Sequence, residues 1–248
     1  MTANSEHSGA VVLLSGGQDS TTCLYWTLAT GVRKVHALSI MYGQAHAREL
    51  ESAAQVVAMA REQYPDAEIT HETVEVGPVL VGSSPLLPGG DTLGRYETVD
   101  DLPDGVEPTF VYGRNLLFIV IAANRLAALV RHGEPGAVVT GVAQEDFGGY
   151  FDCREEFIQA MAEAVDQGFV GESGWISILT PLMHLDKAET VRMAMDLPGC
   201  MDALAYSHTC YAGEFPPCGE CHACHLRARG FLEAGVQDPL VVRGNAEV

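Results

Sequence analysis

The chain has 248 residues, 47% of them hydrophobic, which suits one α/β domain with an appendage or two small domains. Fourteen basic against 33 acidic residues give a formal net charge of −19, which disfavours a nucleic-acid partner because its phosphates are repelled. No apolar run reaches the roughly 18 residues of a membrane span, and the N-terminal MTANSEHSGA lacks the basic and apolar regions of a secretory signal. We therefore expect a cytoplasmic protein that acts on a small molecule.

Strand-like apolar runs alternate along the chain with segments of helical periodicity. The predicted strands are Ala10–Ser15, Val35–Met41, Glu68–Val76, Ala137–Val142 and Trp175–Thr180. The predicted helices are Ser20–Ala29, Ala45–Gln63, Leu116–His132, Glu155–Gly168 and Lys187–Met195. Asp186 and Glu189 have the spacing of a capping box at the start of the last helix. This alternation predicts an α/β fold with a doubly wound parallel sheet that is covered on both faces.

Residues 77–108 interrupt this alternation, since they are rich in Gly, Pro and Asp and show neither periodicity. A long irregular stretch in a compact domain is typical of a functional lid or of a plain surface loop, and the sequence leaves both open. We expect a nucleotide-binding α/β domain over residues 8–200 with a lid-like insertion at 77–108. A metal-binding segment over residues 201–248 is expected to follow.

The turn after the first predicted strand reads SGGQDS, from Ser15 to Ser20. Gly16 and Gly17 allow backbone angles that are closed to other residues, so successive N–H groups can point into one hollow. The helix that follows adds free N–H groups and the positive end of its dipole. The turn therefore predicts an anion-binding loop. It is not a Walker A loop, because no lysine follows the glycines; a glycine-rich turn that binds nothing is the alternative.

Four of the seven cysteines fall within fifteen residues near the C-terminus: Cys210, Cys218, Cys221 and Cys224. Four thiolates at this spacing favour a closed tetrahedral zinc site that fastens a loop-rich tail. An iron–sulfur cluster is the main alternative. Haem attachment is disfavoured because the C-x-x-C-H strings overlap and no export signal is present, and unliganded thiols are disfavoured in a segment so poor in apolar residues. We expect His208, His222 and His225 to surround the site or lie on the surface.

These motifs, taken in order, resemble those of a known family. SGGQDS is similar to the SGGxDS motif of the PP-loop ATP pyrophosphatases, and the chain from about Ala10 to Leu240 resembles the QueC family of 7-cyano-7-deazaguanine synthases. The matching stretches are LSGGQDSTTCL, YGQ-H (Tyr42–His46), GRN (Gly113–Asn115), GV and ED (Gly141–Asp146), DCREEFI (Asp152–Ile158), PLMHLDKAET (Pro181–Thr190) and the cysteine tail. The shared order makes the resemblance specific.

The resemblance implies an enzyme that adenylates the carboxylate of 7-carboxy-7-deazaguanine and converts it with ammonia to the nitrile. It implies ATP, Mg²⁺ and Zn²⁺ as cofactors, and we further expect a homodimer. The phosphates are then expected to be held by Ser15, Gly16, Gly17, Gln18, Asp19 and Ser20, with Mg²⁺ at Asp19. Lys187 is expected to reach the phosphates, with a solvated surface lysine as the alternative. Arg114 can clamp a carboxylate or phosphate with two hydrogen bonds.

The resemblance also implies a set of substrate-binding residues. The residues that it points to are Tyr42, Gln44, His46, Arg114, Asn115, Asp146, Asp152 and Arg154. Cys153 is expected to fill apolar space rather than to act as a nucleophile.

The chain departs from the family pattern at Met41, Ala45, Tyr112, Gly148 and Phe151. These positions replace an acid, a base, a proline, a serine and a proline, respectively, and we expect them to lie beside the substrate pocket. Since the nucleotide loop is intact, we expect the changes to leave activation by ATP unaffected. They leave undecided which molecule accepts the activated carboxylate. A relative that transfers the activated carboxylate to a protein amine, as in QueC-like proteins of antiviral gene clusters, is therefore a second hypothesis. A non-catalytic zinc-binding module is a third, and the complete SGGQDS argues against it.

Overall fold

The computed structural model describes residues 6–43, 48–77, 79–103, 108–144, 150–170 and 174–246. In this part of the chain, five parallel strands form one sheet in the order β3-β2-β1-β4-β5. The strands are β1 (Gly9–Leu13), β2 (Lys34–Met41), β3 (Glu68–Glu75), β4 (Gly136–Val139) and β5 (Ile176–Leu179). All five predicted strands are confirmed, with ends that differ by at most three residues.

Helices connect the strands and continue beyond the last one. They are α1 (Gln18–Ala29), α2 (Arg48–Gln63), α3 (Arg114–Leu129), α4 (Glu155–Val165), α5 (Lys187–Asp196), α6 (Cys200–Leu204), α7 (His222–Ala234) and α8 (Pro239–Ala246). The predicted start of α2 at Ala45 lies outside the described residues. The predicted capping box of α5 is confirmed, because Asp186 Oδ1 accepts from Glu189 N at 2.7 Å and Glu189 Oε2 accepts from Asp186 N at 3.0 Å.

Two apolar cores cover the two faces of the sheet. Val11 and Val138 belong to the core beneath α3 and α4, whereas Val12 and Val139 belong to the core beneath α1, α2 and α5. Neighbouring valines are thus both buried, on opposite faces, which explains why β1 and β4 are continuous apolar runs rather than alternating ones. The doubly wound arrangement predicted from the sequence is confirmed. No helix in the described ranges is long and apolar enough to cross a membrane.

The irregular stretch after β3 contains one short 3₁₀ turn, Val99–Asp101, within its described residues. It runs to the cysteine segment, where Tyr96 N donates to the Glu220 carbonyl at 2.8 Å. Arg95 donates to the carboxylates of Glu214 and Glu220, at 2.8 and 2.6 Å, respectively. Arg95, Glu214 and Glu220 are exposed, so we expect their ion pairs to be weak and sensitive to salt.

The C-terminal segment differs from the loop-rich tail expected from the sequence. It contains α7, which packs against α5, and α8. A Cβ at Gly230 of α7 would lie 2.7 Å from Lys187 Cβ of α5, so the glycine permits this close approach. Helix α7 was not predicted because cysteine, histidine and glycine interrupt the apolar pattern of its sequence, HACHLRARGFLEA. The division of the chain at residue 200 stays a prediction.

Candidate active site and metal centre

The SGGQDS turn links β1 to α1 at the point where the strand order reverses. The chain continues from β1 to β2 and β3 on one side and returns to β4 on the other, so a crevice opens between β1 and β4. Gly16 has φ +88°, and a Cβ there would collide with the Glu49 carbonyl oxygen and lie 2.7 Å from Ala53 N. Glycine is therefore required at this position both by its left-handed backbone and by the close approach of α2.

The hydroxyl groups of the turn hold its shape. Ser20 Oγ accepts from Ser15 N at 3.2 Å and donates to the Gly17 carbonyl at 3.2 Å, and it lies 3.1 Å from Ser15 Oγ. Gly17 N donates to Ser15 Oγ at 3.3 Å. Ser20 is buried, whereas Ser15 is exposed at the mouth of the crevice. This geometry is that of a preformed loop at a helix N-terminus, a site suited to anions.

Asp19 and Lys187 form an ion pair within this site, with 2.8 Å between Lys187 Nζ and Asp19 Oδ2. Lys187 is only 7% exposed, so the alternative of a solvated surface lysine is wrong. It is also the first residue of α5, where the helix dipole disfavours a cation, and local propensity therefore does not explain its placement. The other carboxylate oxygen, Asp19 Oδ1, is buried and has no hydrogen-bond partner among the described residues.

A cavity of about 260 Å³ opens beside the turn. The ends of β1 and β4, the first turns of α2 and α3, and the segment around residues 208–211 line it. Predicted site residues on its wall are Ser15, Gly17, Gln18, Asp19, Ser20, Tyr42, Arg114, Asn115 and Lys187. The structure thus brings both the predicted phosphate-binding residues and part of the predicted substrate set to one cavity.

Other predicted residues lie elsewhere. Gly16 and Asp152 are buried but do not line the cavity. Arg154 is exposed, and its guanidinium lies 5.0 Å from the centre of the Phe151 ring. The remaining predicted substrate residues fall outside the described residues: Gln44, His46 and Asp146. Asn115 has a structural role as well, since its Nδ2 donates to the Asp152 carbonyl at 3.1 Å. This hydrogen bond fixes the short turn Phe151–Cys153 to α3.

Arg114 begins α3 and faces the hydroxyl of Tyr42, with which it shares a hydrogen bond. Burial raises the pKa of Tyr42, although the neighbouring guanidinium opposes part of this effect. Tyr42 is 7% exposed and therefore stays a neutral phenol at the cavity wall. Together, the two side chains offer several hydrogen-bond donors to a bound carboxylate or carbonyl.

Cys153 also faces the cavity but lacks the character of a nucleophile. The side chain is buried, and this burial raises the pKa of the thiol to about 12, with the nearby Asp152 carboxyl adding to the rise. The thiolate is the reactive form of cysteine, so a thiol with so high a pKa is inert near neutral pH. This supports the expectation that Cys153 fills apolar space.

Several residues of the cavity wall were not predicted from the sequence. Glu49, in the first turn of α2, reaches the cavity, and burial raises the pKa of its carboxyl to about 7 despite the nearby Arg114. Glu49 occupies a polar position of an amphipathic helix, where a glutamate exposed to solvent is equally common. The sequence pattern therefore does not indicate that this glutamate reaches a cavity. Thr209, Tyr211 and Arg227 come from the C-terminal segment, which the sequence presents as a metal-binding tail.

The positions that depart from the family pattern do not line the cavity where the structure describes them. Tyr112 and Phe151 are 72% and 50% exposed, and their rings lie 4.8 and 6.0 Å from that of Phe110. Met41 ends β2, where its carbonyl accepts from Val76 N at 2.9 Å. Tyr112 and Phe151 are exposed neighbours of the wall residues Arg114 and Tyr150, so their placement beside the substrate pocket stays a prediction. Ala45 and Gly148 lie outside the described residues.

The four clustered cysteines are brought together at the start of α7. Their Sγ atoms all lie within 4.8 Å of one another, and those of Cys218 and Cys224 are 3.9 Å apart. Four thiolates at about 2.3 Å from a tetrahedral Zn²⁺ would be separated by about 3.8 Å, so the residues fit such an ion. Cys218 Sγ also accepts from the backbone N–H groups of Glu220 and Cys221, at 3.4 and 3.3 Å.

Two further observations concern which side chains of this cluster could bind a metal ion. Hydrogen bonds among three of the thiols lower the pKa of Cys210 and raise those of Cys221 and Cys224, so their sulfur atoms are in direct contact, as ligands of one metal ion have to be. His225 binds the Tyr96 carbonyl at 2.9 Å, and the four-sulfur group includes neither it nor His208 or His222. The cluster can therefore hold a metal ion through sulfur alone.

The fold and the site define a class of protein. A doubly wound parallel sheet that carries an SGGQDS loop at its switch point is a fold of the PP-loop type, found in enzymes that use ATP. The family model of the queuosine biosynthesis protein QueC matches residues 9–235. The chain therefore belongs to the QueC family, as the order of its motifs predicted.

Curated relatives named 7-cyano-7-deazaguanine synthase match nearly the whole chain. The protein of Gloeobacter violaceus is 49% identical over 236 residues, which cover 93% of this chain and 94% of the relative. That of Chromobacterium violaceum is 45% identical, covering 96% and 95%, respectively. That of Laribacter hongkongensis is 43% identical and covers 94% of each chain.

Proposed function

We propose that this protein is an ATP-dependent carbon–nitrogen ligase that converts 7-carboxy-7-deazaguanine and ammonia into 7-cyano-7-deazaguanine. The observation that carries the proposal is the meeting of the SGGQDS loop, the Asp19–Lys187 pair and Arg114 in one cavity. A nucleotide triphosphate and a small carboxylate can be held side by side by such a set. The identity of 43–49% to proteins named as this synthase supports the same reaction.

The chemistry requires activation of a poor electrophile. The carboxylate oxygen attacks the α-phosphorus of ATP, pyrophosphate leaves, and an acyl adenylate forms. Ammonia then adds to the acyl carbon, loses a proton, and expels AMP to give the amide. A second ATP activates the amide oxygen in the same way, and loss of AMP with two protons leaves the nitrile. The protein has to position these reactants and stabilise negative charge as it develops.

The nucleotide loop is proposed to bind the phosphates. The N–H groups at the start of α1 and the Ser15 hydroxyl donate to phosphate oxygens, and Lys187 supplies a positive charge. Ser20 supports the same site by holding the loop in shape through its hydrogen bonds to Ser15 and Gly17. Asp19 would hold Mg²⁺ through Oδ1, the buried oxygen that lacks a partner among the described residues, and the bound ion would neutralise phosphate charge. Exchange of Lys187 between Asp19 and a phosphate would keep its charge paired throughout.

The deazaguanine is proposed to lie between α2 and α3. Arg114 and Tyr42 donate to the substrate carboxylate or its ring carbonyl, while Glu49 accepts from the ring N–H and the exocyclic amine. A cation and a carboxylate side by side match a lactam edge, which presents an acceptor beside donors. The roles of Gln44, His46, Asn115, Asp146, Asp152 and Arg154 in substrate binding stay predictions.

We further propose zinc for the cysteine cluster, in a structural role. Four sulfur ligands leave no open position for a substrate, which is typical of structural rather than catalytic zinc. Thiolate ligands need a reducing compartment, and this supports a cytoplasmic location. Metal analysis of the purified protein is expected to give one zinc per chain. Detection of iron together with a visible absorption band would contradict this proposal and favour an iron–sulfur cluster.

A homodimer is proposed through the exposed face of α3. Leu116 and Val120 are 46% and 43% exposed, one turn apart on that helix, and Tyr112 extends the apolar surface beyond its N-terminus. An apolar surface of this kind favours burial against a second copy. Light scattering coupled to size exclusion is expected to give the mass of a dimer, and Val120→Lys is expected to shift it to the monomer.

The decisive experiment is mass spectrometry of products formed from 7-carboxy-7-deazaguanine, ATP and Mg²⁺, with and without ammonium. We expect AMP, pyrophosphate and, only when ammonium is present, the nitrile. Turnover of ATP with no nitrile would favour the hypothesis of another acceptor, such as a protein amine. ADP and phosphate as the sole nucleotide products would contradict the assignment of the loop.

A further inference from the structure

Arg227 lies on α7 at the rear of the nucleotide site and is 4% exposed. Its Nε and Nη2 donate to the two carboxylate oxygens of Asp238, at 2.6 and 2.9 Å. Nη1 donates to Ser207 Oγ at 2.8 Å and Thr209 Oγ1 at 3.0 Å, and Nη2 donates to the Leu204 carbonyl at 3.1 Å. These bonds use all five N–H groups of the guanidinium.

A guanidinium on a cavity wall is a natural ligand for phosphate, but this one has no donor to offer. Each N–H is already committed to a protein acceptor, and the charge is matched by the 9%-exposed Asp238 side chain. Removal of any of these acceptors would leave a buried charged group short of a hydrogen bond, which costs more than a typical bond contributes. The network is therefore built to fix the chain around it rather than to bind a substrate.

The segment that Arg227 fixes contacts the nucleotide loop on both sides. Thr209 Oγ1 accepts from Gln18 N at 3.4 Å, while His208 N donates to the Gly16 carbonyl at 2.8 Å. Thr209 Oγ1 thus receives one bond from Arg227 and one from the first residue of α1. The path from Arg227 to the loop backbone consists of a single side chain.

We propose that Arg227 is a positioning residue for ATP: clamped by Asp238, it orders Ser207–Thr209, which sets the backbone of Gly16 and Gln18 for the phosphates. A planar guanidinium is required, because a lysine in its place would donate to fewer acceptors and could not bind Asp238 with two parallel bonds. Cys221 is the N-cap of the same helix and Cys224 lies in its first turn, so a metal bound by the cysteine cluster would fix the end of α7 that precedes Arg227. The inference rests on the proposed use of ATP.

Thr209 offers the sharpest test, since Thr209→Val removes the hydroxyl and keeps the side-chain shape. Pyrophosphate release is measured against ATP concentration, with the carboxylate and ammonium saturating. We expect Thr209→Val to lower kcat/KM for ATP by about 10- to 100-fold, as for a small misplacement of reacting groups, with KM for the carboxylate unchanged. Thr209→Ser, which keeps the hydroxyl, is expected to retain the wild-type values.

Arg227→Lys is expected to change the same parameter in the same direction, with Arg229→Lys as a matched control on the exposed side of α7. Metal content and circular dichroism are measured for each variant. Wild-type kcat/KM for ATP in folded Thr209→Val would overturn the proposal, as would equal losses in Thr209→Val and Thr209→Ser. Absence of pyrophosphate release from the unaltered protein would instead refute the proposed function.

Discussion

Glu49 gives a prediction whose size can be worked out from its surroundings. Burial raises the pKa of its carboxyl from the ordinary value of 4.5 to about 7, with Arg114 opposing part of the rise. Each unit by which the pKa differs between the folded and unfolded states corresponds to about 1.4 kcal/mol, so ionisation of Glu49 lowers the free energy of unfolding by about 3 kcal/mol at most. Because the side chain borders a cavity open to water, we expect about 1–3 kcal/mol.

The sign of the effect follows from proton linkage. The folded state holds the Glu49 proton more tightly than the unfolded state, so the free energy of unfolding falls as pH rises from about 4.5 to about 7. The penalty is absent below this window and complete above it. Glu49→Gln removes the titrating group, so the variant is expected to be more stable than the wild type at pH 8 and to lose that advantage at pH 5.

Urea unfolding at several pH values between 5 and 8 measures this difference directly. Glu51→Gln is the matched control, since Glu51 is exposed on the same helix and its replacement is expected to leave the pH profile unchanged. A difference between Glu49→Gln and the wild type that stays constant across the range would refute the reasoning. The variant is also expected to bind 7-carboxy-7-deazaguanine more weakly if Glu49 accepts from its ring.

Four further substitutions test the other parts of the site. Lys187→Met and Asp19→Asn are each expected to lower pyrophosphate release by about 10²- to 10³-fold, as for loss of one charge-stabilising group, while circular dichroism stays unchanged. Cys221→Ser is expected to release the metal, measured by elemental analysis, and to lower the melting temperature, because binding in small zinc modules contributes on the order of 10 kcal/mol; Cys200→Ala should keep its metal. Cys153→Ala is expected to retain activity and lose about 1 kcal/mol of unfolding free energy, and an inactive but folded variant would show that the thiol takes part in the reaction.

The elements that the sequence predicted well are those with a local cause. Asp186 and Glu189 form their capping box because the spacing is fixed within one helical turn. Gly16 marked the nucleotide loop because a left-handed backbone just before a helix leaves few residue choices. The alternation of strands and helices predicted the parallel sheet, but the position of the loop beside β4 depends on the strand order, which was not predicted from the sequence.

The burial of Lys187 and the raised pKa of Glu49 could not be predicted in this way, because both depend on contacts between distant parts of the chain. Lys187 lies 168 residues from Asp19 in sequence, and only the packing of α5 and α7 behind the sheet removes it from water. A pattern of polar residues on a helix is the same whether that face meets solvent or a polar cavity. Tyr112 and Phe151 show the converse, since their proximity in sequence to the wall residues Arg114 and Tyr150 does not turn their side chains into the cavity.

The boundary that the sequence suggests at residue 200 is one of composition, and the hydrogen bonds of the nucleotide loop cross it. Gly16 and Gln18 take partners from residues 208 and 209, and Arg227 holds those partners from the helix that also carries two of the cysteines. A metal bound by these thiolates would restrain α7 and, through Arg227, the backbone that faces the phosphates. Folding energy supplied at the cysteine cluster would then contribute to order in the nucleotide site, although no cysteine of the cluster needs to touch the reacting atoms.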